Sequence, residues 1–231
     1  MKNKLTPVQN ILLGYIVLIL IGAVLLYLPF SSQSDNNTEF IEALFTSASA
    51  VSTTGLIVVD TGTHYTIFGQ VIILALFQIG GLGYMIIIAL ISIGIGAKFS
   101  INGKKLISES IARPTSIEVK KFVKAVTLFA FTFEIFGAAA LTIIFVQRMH
   151  FSEALYSAVF HSVSAFCTAG FSLYADSFTF YATDIYVNII LAVVTIAGSI
   201  GFFVLYEFSK QVKDTIQGKN TLRLSEHSRL V

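Results

Sequence analysis

Four long stretches of this chain are almost free of charged residues, and short polar segments separate them. These stretches are Ile11–Phe30, Thr66–Ala97, Phe122–Val146 and Tyr181–Tyr206. An α-helix rises about 1.5 Å per residue, so each stretch is long enough to cross a hydrocarbon core of about 30 Å. The pattern therefore predicts four transmembrane helices.

Two shorter segments lie between the paired stretches. Phe40–Ala50 lies between the first two stretches and Phe151–Ala165 lies between the last two. Both are too short to cross a membrane, and their many alanines and serines allow helices to pack closely. When Gly55 is aligned with Gly170, the second segment starts four residues earlier than the first, which is about one helical turn. We therefore expect two re-entrant helices, the second one turn longer.

A segment that ends in glycine follows each short helix. The two copies are Ser52-Thr53-Thr54-Gly55 and Cys167-Thr168-Ala169-Gly170. Non-helical backbone at membrane depth is tolerated only inside protein or beside a water-filled cavity, where its carbonyl oxygens can replace the water shell of a cation. Glycine suits such a loop because it adopts backbone angles that a side chain forbids. Two matching copies indicate two pore loops on one cation pathway and disfavour the alternative, an ordinary extracellular hairpin.

The second stretch of each pair contains a cluster of glycines. Its members are Gly80, Gly81 and Gly83 in the first pair and Gly198 and Gly201 in the second. Glycine lowers helix stability by about 1 kcal/mol per residue, so these positions suit a hinge near a gate. They equally suit close helix packing, and the sequence leaves both roles open.

Composition supports placement in a membrane, and charge orients the chain. Hydrophobic residues make up 55% of the 231 residues and charged residues only 12%, too few to cover a soluble core.

Of the 15 lysines and arginines, 14 lie near the two termini or between the two pairs of stretches, and Arg148 is the exception. The positive-inside rule then predicts a multi-pass plasma membrane protein with both termini in the cytoplasm. The acidic outer segments either attract cations or are simply solvated.

Three single residues need separate interpretation. Glu134 is the one acidic residue deep within a stretch, where an ionisable side chain is a functional candidate. The favoured interpretation is that Glu134 forms a hydrogen bond that supports a neighbouring helix or pore segment. His161 is interpreted as a structural histidine. Cys167 takes the position of Ser52, and we interpret it as a small residue that contributes its backbone. As the only cysteine, it excludes an internal disulfide bond.

The sequence contains no recognisable enzymatic site. Its four histidines are scattered without the spacing of metal ligands, and it has neither a nucleophile elbow nor a phosphate-binding loop. We therefore expect no enzymatic activity and no cofactor on this chain. The net charge of +2 arises from the cytoplasmic segments and does not indicate a nucleic-acid partner.

The stretches and loops divide the chain into two similar units. The first unit comprises residues 1–98 and the second comprises residues 121–210, each in the order span, pore loop, span. Residues 99–120 form a cytoplasmic connector, and residues 211–231 form a second one. We expect an all-α integral membrane fold, similar to a potassium channel, with four transmembrane helices and two re-entrant pore helices.

Together these features resemble the Trk/Ktr/HKT superfamily of potassium transporters, and most closely its bacterial Ktr membrane subunit. The residues that carry the resemblance are Thr53-Thr54-Gly55-Leu56, Gln78-Ile79-Gly80-Gly81-Leu82-Gly83 and Thr168-Ala169-Gly170-Phe171. The resemblance implies four such units around one pore, with a glycine of each pore loop shaping a filter whose carbonyls bind potassium. Members with serine in place of the first glycine tend to favour sodium, so Gly55 and Gly170 imply potassium.

The resemblance also implies partners. It implies a homodimer of membrane subunits that rests on a cytoplasmic ring of regulatory subunits, and nucleotide is expected only on that ring. Only two of the four units are present, so we expect this sequence to be the N-terminal half of a longer subunit. The alternative is that a second copy of the chain completes the pore. The family places its gating loop and a membrane-embedded arginine in the two units that are absent here.

Two other functions remain open at this point. A secondary cation transporter with broken helices is disfavoured, because the two units have the same topology and acidic residues within the spans are nearly absent. A membrane sensor or assembly protein would use the loops only for packing, so replacing Gly55 or Gly170 would leave cation flux unchanged. The favoured function is potassium translocation down an electrochemical gradient.

Overall fold

A computed structural model describes residues 6–33, 38–94 and 119–201, together with 204, 206, 207 and 211. The described chain is built from eight α-helices and two single-turn 3-10 helices, Pro29–Ser31 and Thr179–Tyr181. The α-helices are α1 (Pro7–Tyr27), α2 (Phe40–Val51), α3 (Thr61–His64), α4 (Ile67–Leu82), α5 (Tyr84–Gly94), α6 (Val119–Phe145), α7 (Phe151–Phe166) and α8 (Ile185–Ser199). Almost all of the predicted connector 99–120, and all but the first residue of 211–231, lie outside the described residues.

Short polar caps determine where the apolar helices begin. The hydroxyl of Thr6 accepts a hydrogen bond from the backbone of Gln9 and precedes Pro7, so α1 starts four residues before the predicted stretch. The carboxylate of Asp184 accepts hydrogen bonds from the first backbone N–H groups of α8. The first N–H groups of a helix have no acceptor within the helix, and Asp184 supplies one. The helix α8 therefore begins directly after Asp184 rather than at Tyr181, where the predicted stretch starts.

The second predicted stretch is interrupted at Gly83, one of the glycines for which the sequence left both a hinge and close packing open. Gly83 has a φ of 80°, which ends α4, and the axes of α4 and α5 differ by 97°. In the fourth stretch, α8 ends at Ser199, and Gly201 has a φ of 89°. Left-handed backbone interrupts a right-handed helix, and glycine adopts it without steric cost.

The helices form an α-helical membrane protein. Among the described residues, α1 and α6 are each long and apolar enough to cross a membrane, and the bent pair α4–α5 adds a third crossing if it is one span. The side of α1 away from the protein is apolar and exposed, with Leu12, Ile16, Leu20 and Val24 all at least 45% exposed. Such a surface suits contact with lipid. A fourth crossing stays a prediction, because α8 comprises 15 residues.

The two short helices agree closely with their predicted positions. The helix α2 has 12 residues and α7 has 16, so the expected additional turn of the second is confirmed. Each short helix packs between two longer ones: α2 lies against α1 and α4, and α7 lies against α6 and α8.

The two halves of the chain meet where α4 contacts α7. At this contact the fully buried ring of Phe77 lies edge-on to Phe160, with ring centroids 5.5 Å apart. The same ring stacks on Phe171, with centroids 5.9 Å apart. This apolar contact brings the ends of the two short helices together.

Candidate functional site

The first candidate loop begins with a tight reversal at the end of α2. The N–H of Thr54 donates to the carbonyl of Ser49 at 2.9 Å, and the N–H of Thr53 donates to the carbonyl of Ala50 at 3.0 Å. These two bonds are those of a Schellman motif, in which the residue after the helix cap has left-handed backbone. That residue is Thr53, whose φ is 52°.

The second candidate loop begins in the same way at the end of α7. The N–H of Ala169 donates to the carbonyl of Ser164 at 2.8 Å, and the N–H of Thr168 donates to Ala165 at 3.1 Å. Thr168 also has a φ of 52°. The glycines that end the two loops agree as well, with φ values of 76° at Gly55 and 72° at Gly170. The two loops therefore follow the same backbone path.

Threonine is an unexpected residue at the left-handed position. Its branched Cβ crowds the following carbonyl there, which is why glycine or asparagine usually takes this place. Strained backbone of this kind is found where the surrounding structure compensates for it, and often at functional sites. The same strained backbone at both Thr53 and Thr168 indicates that the loop geometry is maintained despite its conformational cost.

The two loops are in direct contact. A Cβ atom built on Gly55 would lie 2.4 Å from the carbonyl oxygen of Ala169 and 3.0 Å from the Cα of Gly170. Gly170 is less crowded, since the nearest atom to such a Cβ is the Cα of Gly55 at 3.5 Å. The close approach explains why position 55 needs a residue without a side chain.

Chemically, the loops present oxygen atoms and negative potential. Within the part of the chain that the structure describes, no residue donates a hydrogen bond to the carbonyl oxygens of residues 52–55 or 167–170. The loops directly follow the C-terminal ends of α2 and α7, and helix C-termini carry partial negative charge. Such a set of dipoles favours a cation. Among the described residues, no three acidic, histidine or cysteine side chains come together as a metal site would require.

The side chains of the two loops are tied differently. The hydroxyl of Ser52 donates to the carbonyl of Ala48 at 2.7 Å and lies 2.6 Å from the hydroxyl of Thr54, so the first loop bonds to itself and to the end of α2. The thiol of Cys167 instead donates to the side-chain oxygen of Gln78 on α4, with the sulfur 3.2 Å from that oxygen. The second loop is therefore held by the first half of the chain.

Glu134 completes this connection from α6. Its side chain is 4% exposed, and the amide nitrogen of Gln78 donates to its carboxylate at 2.8 Å. Gln78 thus uses both ends of its amide, one on Glu134 and one on Cys167. In the sequence, Gln78 stands out only as part of the motif that carries the family resemblance. Its two partners, Glu134 and Cys167, are distant in the chain, so no local pattern predicts them.

The predicted glycines occupy two kinds of position. A Cβ on Gly80 would lie 2.1 Å from the carbonyl oxygen of Val51, and one on Gly198 would lie 1.8 Å from that of Phe166. Each therefore lets a long helix touch the end of a short one. A Cβ on Gly81 would lie 2.7 Å from the sulfur of Cys167. Gly83 and Gly201 differ, because both have positive φ and no atom of the described residues comes within 4 Å of such a Cβ.

Two serines of the short helices, interpreted from the sequence only as small packing residues, also form matching hydrogen bonds. The hydroxyl of Ser47 donates to the carbonyl of Ile19 at 2.7 Å, and that of Ser162 donates to the carbonyl of Glu134 at 2.7 Å. Each bond ties a short helix to the long helix before it. The available signal was that Ser47 and Ser162 coincide when Gly55 is aligned with Gly170.

Known proteins with similar sequences are transporters. The chain is 42% identical over 207 residues to the Ktr system potassium uptake protein B of Bacillus subtilis, covering 90% of this chain and 46% of that protein. It is 35% identical over 227 residues to the potassium/sodium uptake protein NtpJ of Enterococcus hirae, covering 97% and 50%. It is 38% identical over 204 residues to the Ktr system potassium uptake protein B of Vibrio alginolyticus, covering 88% and 44%.

The chain spans about half the length of these curated relatives. That the relatives are transport proteins agrees with the prediction that the chain is not an enzyme. The profile of the TrkH family, described as cation transport protein, matches residues 6–226, which is nearly the whole sequence. This chain therefore belongs to the TrkH family of cation transport proteins.

Proposed function

We propose that this chain contributes to a potassium pathway across the plasma membrane, lined by the backbone carbonyls of Ser52–Gly55 and Cys167–Gly170. The observation that carries the proposal is the pair of matching loops. Their φ values agree within 4°, they touch at Gly55, and no described residue donates a hydrogen bond to their carbonyls. Carbonyl oxygens held in this way replace the hydration shell of a potassium ion.

Potassium as the transported ion has two supports. The relatives from Bacillus subtilis and Vibrio alginolyticus are named potassium uptake proteins, and the one from Enterococcus hirae is named for potassium and sodium. Gly55 and Gly170 are the glycines that the family resemblance associates with potassium. The glycines remove side chains that would otherwise fill the space between the loops.

The whole assembly is also part of the proposal. Two loops supply half of a four-fold ring of carbonyls, and the other half comes from a further part of the same subunit or from a second copy. The units 1–98 and 121–210 then lie side by side around the pore with both termini in the cytoplasm. A homodimer on a cytoplasmic ring of nucleotide-binding regulatory subunits follows from the family resemblance. The cytoplasmic connectors 99–120 and 211–231 would face that ring.

The glycine clusters and Glu134 support the loops in this arrangement. Gly80 and Gly198 let α4 and α8 reach the ends of the short helices, and Gly81 makes room for Cys167. Glu134 holds Gln78, which in turn holds Cys167. Gly83 and Gly201 provide the points at which the helices below the loops can bend.

The test is uptake of radioactive rubidium into liposomes. The chain is reconstituted alone and together with the part of the Bacillus subtilis relative that it does not match. Gly170→Asp adds a carboxylate beside the proposed filter at a position with space for a Cβ, and we expect it to lower uptake by at least about tenfold. Ser177→Asp is the matched control, because Ser177 is exposed, also has positive φ and lies outside the loops.

Each alternative predicts a different result. Uptake that is present and equal in wild type and Gly170→Asp would show that the loops only pack, as in a sensor or assembly protein. Uptake that requires a sodium gradient would indicate a secondary transporter. Absence of uptake in both preparations would contradict the proposal.

A further inference from the structure

The segments that leave the two loops are held very differently. Beyond the second loop, the hydroxyl of Ser164 donates to the carbonyl of Phe171 at 2.7 Å, and Ser164 is 3% exposed. Two residues later, the N–H of Leu173 donates to Nε2 of His161 at 3.1 Å. The second exit segment, Phe171–Tyr174, is thus bonded at two points to α7.

The hydrogen bonds of His161 define its protonation. Its ring is 1% exposed, and Nδ1 lies 2.7 Å from the carbonyl of Ser157, so Nδ1 carries the proton and donates. Nε2 then accepts hydrogen bonds from the N–H of Leu173 and from the hydroxyl of Ser172, which is 3.1 Å away. The neutral ring with this tautomer fits these contacts, and the hydroxyl of Ser157 also lies 3.1 Å from Nδ1.

Tyr174, the last residue of the second exit segment, contacts both His161 and Ser157. Its ring stacks on His161 with centroids 4.7 Å apart, and its hydroxyl lies 2.7 Å from the hydroxyl of Ser157. The segment also touches the first half of the chain, because a Cβ on Gly62 would lie 2.0 Å from the carbonyl oxygen of Leu173. The second exit segment is therefore clamped from two sides.

The corresponding part of the first half lacks these bonds. Ser49 aligns with Ser164, yet its buried hydroxyl has no hydrogen-bond partner among the described residues. Thr46 aligns with His161, and its hydroxyl is occupied as the acceptor of Tyr65 at 3.2 Å. In the first exit segment, Leu56–Val59, the first three side chains are exposed, with Leu56 at 60%, and only Val59 packs against the hydrophobic core.

We propose that His161 and Ser164 are positioning residues that hold the second exit segment, and that they thereby determine how well the second loop discriminates potassium from sodium. The inference rests on the proposed function of the loops as a filter. A filter that discriminates between ions by size depends on carbonyls whose positions are maintained by supporting hydrogen bonds. Only the second loop has that shell within the part of the chain described here.

A matched pair of serine variants tests the role of Ser164. Both Ser164→Ala and Ser49→Ala remove one buried hydroxyl and leave the backbone unchanged, but only the first removes a hydrogen bond. The readout is inhibition of rubidium uptake by sodium in liposomes. We expect Ser164→Ala to lower the sodium concentration for half inhibition about tenfold, the effect of one buried hydrogen bond, and Ser49→Ala to leave it within about twofold. Equal effects of the two variants would overturn the proposal.

A second pair of variants tests His161. Glutamine places an oxygen near the position of Nε2 and can still accept from Leu173, whereas asparagine places a nitrogen near Nδ1 and reaches only Ser157. We therefore expect His161→Gln to retain the discrimination of the wild type and His161→Asn to lose it. If both variants behave alike, or if asparagine is the better substitute, His161 only fills space and the proposal is wrong.

Hydrogen exchange separates failure of this inference from failure of the proposed function. Exchange at the Leu173 amide is measured in the purified chain and requires no transport. We expect His161→Asn to accelerate it at least about tenfold and His161→Gln to change it little, because only asparagine removes the acceptor. Unchanged exchange in His161→Asn would overturn the positioning role. A wild-type chain with the expected exchange but without rubidium uptake would instead refute the transport proposal.

Discussion

At the scale of single residues, the loops combine threonine with left-handed backbone. Thr53 and Thr168 both have a φ of 52°, and so does Ser177 in the exposed segment before α8. Left-handed backbone costs a residue with a Cβ about 1–2 kcal/mol. All three positions share this left-handed backbone, but only the two threonines lie at the ends of the short helices.

Replacing these residues by glycine separates strain from function. Glycine at each position removes the cost of left-handed backbone; the variants are Thr53→Gly, Thr168→Gly and Ser177→Gly. Glycine also increases the conformational entropy of the unfolded chain, which offsets about 0.5–1 kcal/mol of that gain in stability. We expect all three to stabilise the chain by up to about 1 kcal/mol, measured as the thermal midpoint in detergent. We expect rubidium uptake to change only in the two threonine variants. A change in uptake with Ser177→Gly would show that the effect is not specific to the loops.

At the scale of helices, glycines determine how closely the long helices approach the short ones. Gly80 on α4 lies against the last carbonyl of α2, and Gly198 on α8 lies against the last carbonyl of α7. The contacts place each long helix directly beside the start of a candidate loop. The last carbonyl group of each short helix is therefore also the group against which the neighbouring long helix packs.

A single methyl group tests this contact. In Gly198→Ala the added Cβ would lie 1.8 Å from the carbonyl oxygen of Phe166, so α8 must move away from α7. We expect a loss of about 3 kcal/mol in stability, the upper range for overpacking, measured by thermal unfolding in detergent. Ser199→Ala, at the exposed neighbouring position of α8, is the control and should have little effect. A stable Gly198→Ala variant would mean that the helices are not in the contact described.

At the scale of the whole molecule, two halves that share several local contacts are joined at α4 and α7. The ring of Phe77 fills the apolar part of this contact, and Gln78 bridges its polar part. Because Cys167 bonds to α4, the second loop depends on the first half for its position. The outer surface of α1 is left apolar, as a helix in contact with lipid requires.

The orientation in the membrane can be measured directly. In a Cys167→Ser background, single cysteines are introduced at Val8, which is 70% exposed at the start of α1, and at Ser177. The positive-inside rule places Val8 at the cytoplasmic face and Ser177 outside. A membrane-impermeant maleimide should label Ser177→Cys in intact cells and Val8→Cys only after permeabilisation. The opposite labelling pattern would invert the proposed topology.

Local interactions explain why much of the fold was predictable. The short helices α2 and α7, including the additional turn of α7, follow from apolar residues between polar boundaries and were found in the sequence. The bend at Gly83 was foreseen only as one of two roles for the glycine cluster, because glycine permits a hinge without requiring one. For the same reason the sequence could not decide that Gly80 serves packing and Gly83 a change of direction.

The sequence by itself determined the membrane class, the two short helices, the paired loop segments and the family, because these depend on composition and on residues close together in the chain. Tertiary structure alone decided that Gly55 touches Ala169, that Gln78 joins Glu134 to Cys167, and that Ser164 is bonded while Ser49 is not. These contacts join residues from different helices or loops. They exist only after the helices have packed, since the distance between two side chains is then set by the approach of whole helices and not by local preference.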